Sequence, residues 1–163
     1  MSMKVQVFVG IGSNLSEPIK QVNQAIKTFQ SFSEIEDVRA SSLYRTKPLG
    51  GMVQPDYINA VVAFTTKLAP FDLLKHLQGM ENTQGRVRTG ERWSARIIDL
   101  DILLYGSQNI AEESLTIPHL GLTERNFVLL PLAELDPDLK LPDNRKITEL
   151  LTLTAKQGIE KIE

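Results

Sequence analysis

Ile97-Ile98-Asp99-Leu100-Asp101-Ile102-Leu103-Leu104-Tyr105 is an aliphatic run closed by Gly106, with the length and composition of a buried strand. It is the last of six elements. Upstream, Lys4 to Ile11 alternates Val5, Val7, Val9 and Ile11 on one face and predicts a first strand, which Gly12-Ser13-Asn14 is expected to end. Ser16 is placed to cap a helix that opens on Pro18 and carries the stripe Ile19, Val22, Ile26 and Phe29. A second strand is expected around Asp37 to Arg45, and Tyr57 to Thr66 alternates clearly enough to be a third. Pro70 opens a second helix with Phe71, Leu74 and Leu77 on its apolar side, stopping before Gly85. Strand, helix, strand, strand, helix, strand is the βαββαβ order of ferredoxin-like folds, an α+β architecture with an antiparallel sheet. Beyond Gly106 the chain predicts a hairpin near Ile110 to Ile117 and helices over Thr123 to Leu135 and Ile147 to Ala155. These extra C-terminal elements would cover the open sheet face and give three αβα layers.

Alternate side chains of a strand share a face, so Asp99 and Asp101 point the same way, about 7 Å apart, while Ile98, Leu100, Ile102 and Leu104 fill the opposite face. At that separation two carboxylates repel by roughly 2 kcal/mol if the effective dielectric is near 20. A positive charge is therefore expected between them. Arg86, Arg88, Arg92 and Arg96 lie just upstream and would give a structural ion-pair network. Mg²⁺ is the other candidate, because it prefers one or two carboxylates plus substrate phosphates to an all-protein cage. Guanidinium forks match phosphate oxygens, and there are more arginines here than two aspartates use, so the pattern reads as a site for a polyphosphate and its metal ions. Two long polar connections, Thr46 to Asp56 and Gly85 to Ala95, flank these segments, and long ordered loops tend to carry function.

The 163 residues are expected to form one domain, 1–163, with no interdomain linker, internal repeat or low-complexity segment. Apolar residues make up 42% and charged residues 23%, ordinary for a soluble globular protein. The absence of cysteine excludes a disulfide scaffold, a thiolate zinc site and cysteine catalysis. Met1-Ser2-Met3-Lys4-Val5 lacks the apolar stretch of a signal peptide and no run approaches a membrane span, so a cytoplasmic protein with no membrane partner is expected. A net charge of −2 argues against a nucleic-acid partner, which needs a broad basic surface. A local basic cluster in a mildly acidic chain suits a small anionic ligand better.

Gly10-Ile11-Gly12 lacks the third glycine of a dinucleotide fingerprint, no Walker A sequence is present, and the motif reads as a tight turn into a capped helix. Tyr57 and Asn59 share a strand face just after the proline-rich loop. They are either a core aromatic and a locally bonded amide, or a stacking ring and an amide that reads the edge of a flat heterocycle. Phe127, in Arg125-Asn126-Phe127, is either helix core or the second ring of such a sandwich. His119 has no neighbouring histidine in sequence, so a phosphate hydrogen bond is expected in preference to zinc, and no Ser-His-Asp or Cys-His order emerges.

These residues together resemble the 6-hydroxymethyl-7,8-dihydropterin pyrophosphokinase family over nearly the whole chain. The resemblance rests on Gly10-Ile11-Gly12-Ser13-Asn14-Leu15, Tyr44-Arg45-Thr46-Lys47-Pro48-Leu49, Gln54-Pro55-Asp56-Tyr57-Ile58-Asn59 and Gln84-Gly85-Arg86-Val87-Arg88. It continues through Arg96-Ile97-Ile98-Asp99-Leu100-Asp101, Thr116-Ile117-Pro118-His119 and Arg125-Asn126-Phe127. It implies transfer of pyrophosphate from ATP to the hydroxymethyl group of the pterin, with release of AMP, in folate biosynthesis. Asp99 and Asp101 would hold two Mg²⁺ ions bridging the ATP phosphates, and Arg86, Arg88, Arg92 and Arg96 would meet the triphosphate. Gln78, Glu81, Thr116, His119 and Arg125 match family positions around the nucleotide. Tyr57 and Phe127 would sandwich the pterin, with Asn59 and the backbone of Thr46, Pro48 and Leu49 reading its polar edge. Trp93 would sit in a loop that closes over the substrates. Ser94-Ala95, Ser114 and Leu120 depart from the family pattern at the loop and the nucleotide rim. A monomer is expected. Two other readings stay open: a metal-dependent nucleotidyltransferase, which would release pyrophosphate instead of AMP, and a non-catalytic ferredoxin-like module for nucleotides or RNA.

Overall fold

The computed structural model describes residues 3–47, 56–85, 97–154 and 159–162. Its elements run β1 (Val5–Ser13), α1 (Pro18–Ser31), β2 (Ile35–Ala40), β3 (Leu43–Thr46), β4 (Tyr57–Thr66), α2 (Pro70–Thr83), β5 (Asp99–Tyr105), β6 (Ile110–Ala111), β7 (Thr116–Ile117), α3 (Asn126–Leu135), α4 (Ile147–Leu153) and β8 (Ile159–Ile162). Every pairing in the main sheet is antiparallel, in the order β5-β1-β4-β3-β8, with β2 also against β4. With β2 and β3 sharing one flank of β4, this is the ferredoxin-like order, extended at one edge by β8, a strand that sequence periodicity does not predict.

The expected second strand is split in two. β2 pairs with the Val62–Thr66 half of β4 and β3 with Tyr57, Ile58 and Asn59. Ser41 bridges the break, donating its N–H to the Val61 carbonyl at 2.8 Å and accepting the Val61 N–H on its hydroxyl at 2.9 Å. A side-chain oxygen thus replaces the ladder carbonyl, and the Val61 amide keeps an acceptor.

One sheet face carries Val7, Val9, Ile11, Ile58, Ala60, Val62, Phe64, Leu100 and Ile102 against α1 and α2. The other carries Phe8, Val61, Ala63, Leu103 and Leu104 against α3 and α4. Three layers result. Leu104 therefore departs from the expected alternation. Phe8 pairs with Leu104 but Val9 pairs with Ile102, so Leu103 is an extra, bulged residue, and Leu104 turns onto the same face as Leu103.

The helix stripes are also rephased. α1 buries Val22, Ala25 and Phe29 while Ile19 is 39% exposed, and Glu17, in the left-handed region with φ 63°, takes the N-cap position expected of Ser16. α2 buries Leu73, Leu77 and Glu81, leaving Phe71 exposed, because its inner face follows i, i+4, i+8 from Leu73. The helix predicted from Thr123 begins instead as a 3₁₀ turn, Leu122–Glu124, before α3.

Glu134 of α3 ties this layer to the sheet edge. Tyr44, which is buried, donates its hydroxyl to Glu134 at 2.6 Å, and Ser42 donates its N–H at 2.8 Å and its hydroxyl at 3.0 Å. Burial raises the Glu134 pKa, but the Tyr44 and Ser42 hydrogen bonds outweigh it and hold the carboxyl below its ordinary value. Burial, then the bond to Glu134, pushes the Tyr44 phenol up. Glu134→Ala leaves the Tyr44 hydroxyl without this acceptor and is expected to cost about 1–3 kcal/mol in chemical denaturation. Because the folded pKa is depressed, the carboxylate's stabilisation is present above the unfolded value near 4.5 and lost as pH falls through the folded value. Glu134→Gln should accordingly flatten the acid limb of a stability-versus-pH curve, and an unaltered limb would remove Glu134 from this role.

Candidate active site

The α3 face of the sheet changes character along its length. Phe8, Ala63 and Leu104 lie at one end under α3 and α4. One step on, Gly10 pairs with Val61 and Asp101, and a further step on, Gly12 pairs with Asn59 and Asp99. Directly opposed residues of antiparallel strands share a face, so the apolar floor gives way to two glycines flanked by two carboxylates on one side and an amide on the other. This end opens into a cavity of about 450 Å³ lined by Gly12, Asn59, Tyr57, Asp101, His119 and Phe127 among others. A larger cleft of about 950 Å³ runs between α1 and α2 on the opposite side of the sheet, lined by residues such as Gln24, Phe32, Lys75 and His76. Chemistry rather than volume selects the first, because it gathers both carboxylates.

The strand therefore does not end at Gly12 as expected from sequence. β1 is paired on both flanks through Gly12 and reaches Ser13, paired with Ile58, so Gly10-Ile11-Gly12 is strand rather than turn. The two glycines keep the floor bare. A Cβ on Gly12 would sit 3.2 Å from the Asn59 Oδ1 and 3.7 Å from the Tyr57 ring, and one on Gly10 would touch Leu103 at 3.4 Å. Sequence reasoning missed both as site residues. Their signal was the spacing of two on a strand, which puts both on one face.

Asn59 is buried and donates its amide to the Thr46 hydroxyl at 2.7 Å, which turns the amide oxygen toward Gly12. Here the Thr46 side chain is engaged, where sequence pointed to its backbone. Phe127 stands at the start of α3 with the Arg125 guanidinium carbon 5.7 Å from its ring centre. Arg125 in turn lies against the backbone of Gly121, where a Cβ would fall 2.3 Å from its Nε.

His119 is hooked to β5 by its N–H, which donates to the Leu103 carbonyl at 3.1 Å. Its Nδ1 accepts the Gly121 N–H at 3.1 Å, which places the proton of the neutral ring on Nε2. Nε2 is 3.8 Å from the Asp101 Oδ2. Burial, then the Arg125 charge, lowers the His119 pKa against an upward pull from Asp99, so the imidazole is neutral at pH 7. It is a hydrogen-bond donor rather than a cation.

Asp99 and Asp101 do share a face and line the cleft, and the Asp101 side chain is 44% exposed. Among the described residues no three His, Cys, Asp or Glu side chains cluster as a ready-made metal cage. Two hard oxygen donors beside open space fit an ion such as Mg²⁺ that takes the rest of its shell from water and phosphate. Thr116, His119, Arg125, Tyr57, Asn59, Thr46 and Phe127 also line the cleft. Gln78 and Glu81 do not. α2 packs on the opposite sheet face, and of it only Leu74 reaches the lining. Gln78 faces solvent, and Glu81, 2% exposed, accepts the Leu100 N–H at 2.8 Å instead of facing the ligand space. Arg86, Arg88, Arg92, Trp93, Arg96, Pro48 and Leu49 lie outside the described residues.

The family model for 7,8-dihydro-6-hydroxymethylpterin-pyrophosphokinase matches residues 8–137. A 2-amino-4-hydroxy-6-hydroxymethyldihydropteridine pyrophosphokinase of Haemophilus influenzae is 46% identical over 158 residues, 97% of this chain and 98% of its own length. Its Pseudomonas aeruginosa counterpart is 47% identical over 157 residues, 96% of each chain. Among solved structures, a Plasmodium falciparum HPPK-DHPS with pteroate aligns at a TM-score of 0.72 with 14% identity, over 93% of this chain and 41% of that one. An HPPK-DHPS in complex with substrates aligns at 0.74 with 11% identity, over 97% and 46%. At those identities the two structures speak to the fold, and this chain spans less than half of each.

Proposed function

Because the chain belongs to the 7,8-dihydro-6-hydroxymethylpterin-pyrophosphokinase family, we propose that the cleft over Gly10 and Gly12 is where its two substrates meet. The chain is an enzyme of folate biosynthesis that transfers pyrophosphate from ATP to the hydroxymethyl group of 6-hydroxymethyl-7,8-dihydropterin. The observation that carries the site assignment is the row Asp99–Gly12–Asn59, which sets a carboxylate and a buried amide on either side of a bare strand.

In this reading Tyr57 and Phe127 hold the pterin ring between them and Asn59, its amide fixed by Thr46, reads the polar edge. The backbone of Thr46, Pro48 and Leu49 completes that edge. Thr116, His119 and Arg125 meet the nucleotide, His119 donating from Nε2 to a phosphate oxygen. Arg86, Arg88, Arg92 and Arg96 grip the triphosphate, and Trp93 lies over the substrates. Asp99 and Asp101 would hold two Mg²⁺ ions, which when bound neutralise phosphate charge and align the β-phosphorus with the attacking oxygen. The protein's share is positioning and charge complementarity, with little covalent work. We further propose one domain acting as a cytoplasmic monomer. Among the described residues no helix is long and apolar enough to cross a membrane.

Incubating the protein with labelled ATP and the pterin alcohol tests the reaction: AMP and pterin diphosphate are expected, whereas released pyrophosphate would favour the nucleotidyltransferase reading. Gly12→Ala gives a sharper check of the floor. The added methyl meets the Asn59 amide oxygen at 3.2 Å, so the amide must shift. Pterin affinity should fall about tenfold, the loss of one well-placed hydrogen bond. Unchanged affinity in a binding titration would remove Gly12 from the pocket.

A further inference from the structure

Resting on the reading of Asp99 and Asp101 as metal ligands, we infer that Glu81 is a positioning residue that holds this pair in place through the Leu100 N–H. Among the described residues β5 is an edge strand, paired on one side, with β1. Along such a strand residues alternate between those whose backbone groups bond the neighbour and those whose groups point away from it. Leu100 donates its N–H away from β1, to the Glu81 carboxylate on α2, at 2.8 Å. Asp99 and Asp101, one residue to either side, therefore turn their backbone groups toward β1, at Gly12 and Gly10. The three-residue segment is held from both flanks: the aspartates by β1 and the residue between them by Glu81.

A carboxylate is an unusual choice for that place. Glu81 is 2% exposed and Leu100 4%, and it continues the i, i+4 spacing of Leu73 and Leu77, where an aliphatic residue would serve packing alone. A buried carboxylate is tolerated only where it is hydrogen-bonded. What it supplies here that leucine cannot is an acceptor for an outward amide on an edge strand covered by a helix. That amide lies between the two side chains whose relative placement sets the metal geometry. Groups behind metal ligands commonly govern affinity in this way.

The test reads the hydrogen bond directly and the metal separately. In Glu81→Met the Leu100 amide is expected to exchange about 100-fold faster than in the parent, with the central amides of Val9 and Phe64 unchanged. Mn²⁺ affinity, titrated with a non-hydrolysable ATP analogue present, should fall about tenfold. Glu81→Gln keeps an acceptor oxygen and should hold both quantities within about threefold of the parent. Unchanged Leu100 exchange or unchanged Mn²⁺ affinity in the methionine variant overturns the inference, and so does a glutamine variant as impaired as the methionine one. If Glu81→Met does not fold, Glu81→Gln decides alone: retained protection and affinity support the role, and a tenfold loss of either overturns it. Asp99→Asn separates this from the reading beneath it. Mn²⁺ binding unaffected in that variant overturns both, whereas a silent Glu81→Met beside an Asp99→Asn that has lost the ion overturns only the positioning role.

Discussion

Asp101→Ala, and separately Asp99→Ala, should lower kcat by roughly 10²–10³-fold or more while leaving the fold intact. Both halves of that expectation come from where the side chains sit. The backbone of β5 is held by pairing of Asp99 with Gly12 and Asp101 with Gly10, which alanine preserves. The Asp101 side chain is 44% exposed, so its removal opens no core cavity. The melting temperature should therefore stay within about 2–4 °C of the parent. Turnover with ATP, the pterin alcohol and Mg²⁺, measured beside thermal melting, checks both. Near-normal turnover in either variant would defeat the metal assignment, and a collapsed melting temperature would mark the pair as structural.

Much of this arrangement was readable before any coordinates, and what escaped did so for identifiable reasons. The strand expected over Tyr57–Thr66 has the observed bounds, because a central strand covered on both faces is apolar over most of its length, here Ala60 to Phe64. The aspartate pair was legible for the same reason, two carboxylates interrupting such an apolar run at a spacing of two. Register was not. The bulge at Leu103 comes from pairing with β1, so Leu104 changed faces without any local sign. The split between β2 and β3 depends on the Ser41 hydroxyl standing in for a carbonyl, a substitution that propensity does not register. Gly10 and Gly12 looked like a turn because glycine usually breaks strands. Here their missing side chains are the floor of the cleft. The acceptor role of Glu81 escaped differently: the family resemblance implied a place around the nucleotide, whereas the side chain is buried and accepts the Leu100 N–H.

Tyr57→Ala should weaken pterin binding by roughly 1–3 kcal/mol, about fivefold to 150-fold, the scale of a lost base–aromatic stack. Tyr57 opens β4 on the same face as Asn59, and its Cδ1 would be 3.7 Å from a Cβ on Gly12, so the ring stands beside bare backbone at the end of the cleft. Phe127, from α3, lines the same cleft, and the proposed pose sets the flat heterocycle between the two rings. Such stacking acts on the ring, which does not change during transfer, and so contributes equally before and during the chemical step. The loss should consequently appear in KM, with kcat at saturating pterin held within a few-fold. Tyr57→Phe keeps the π face and should bind as the parent does, while Tyr57→Ala with Phe127→Ala should lose less than the sum of the two, because one ring cannot sandwich the pterin alone. ATP affinity is expected to stay unchanged in Tyr57→Ala, whose ring is not part of the nucleotide contacts proposed for Thr116, His119 and Arg125. Titration of the pterin against Tyr57→Ala settles the matter: affinity equal to the parent's would place the ring outside the pocket, and a fall in kcat with KM unchanged would show that it acts on the reacting groups instead.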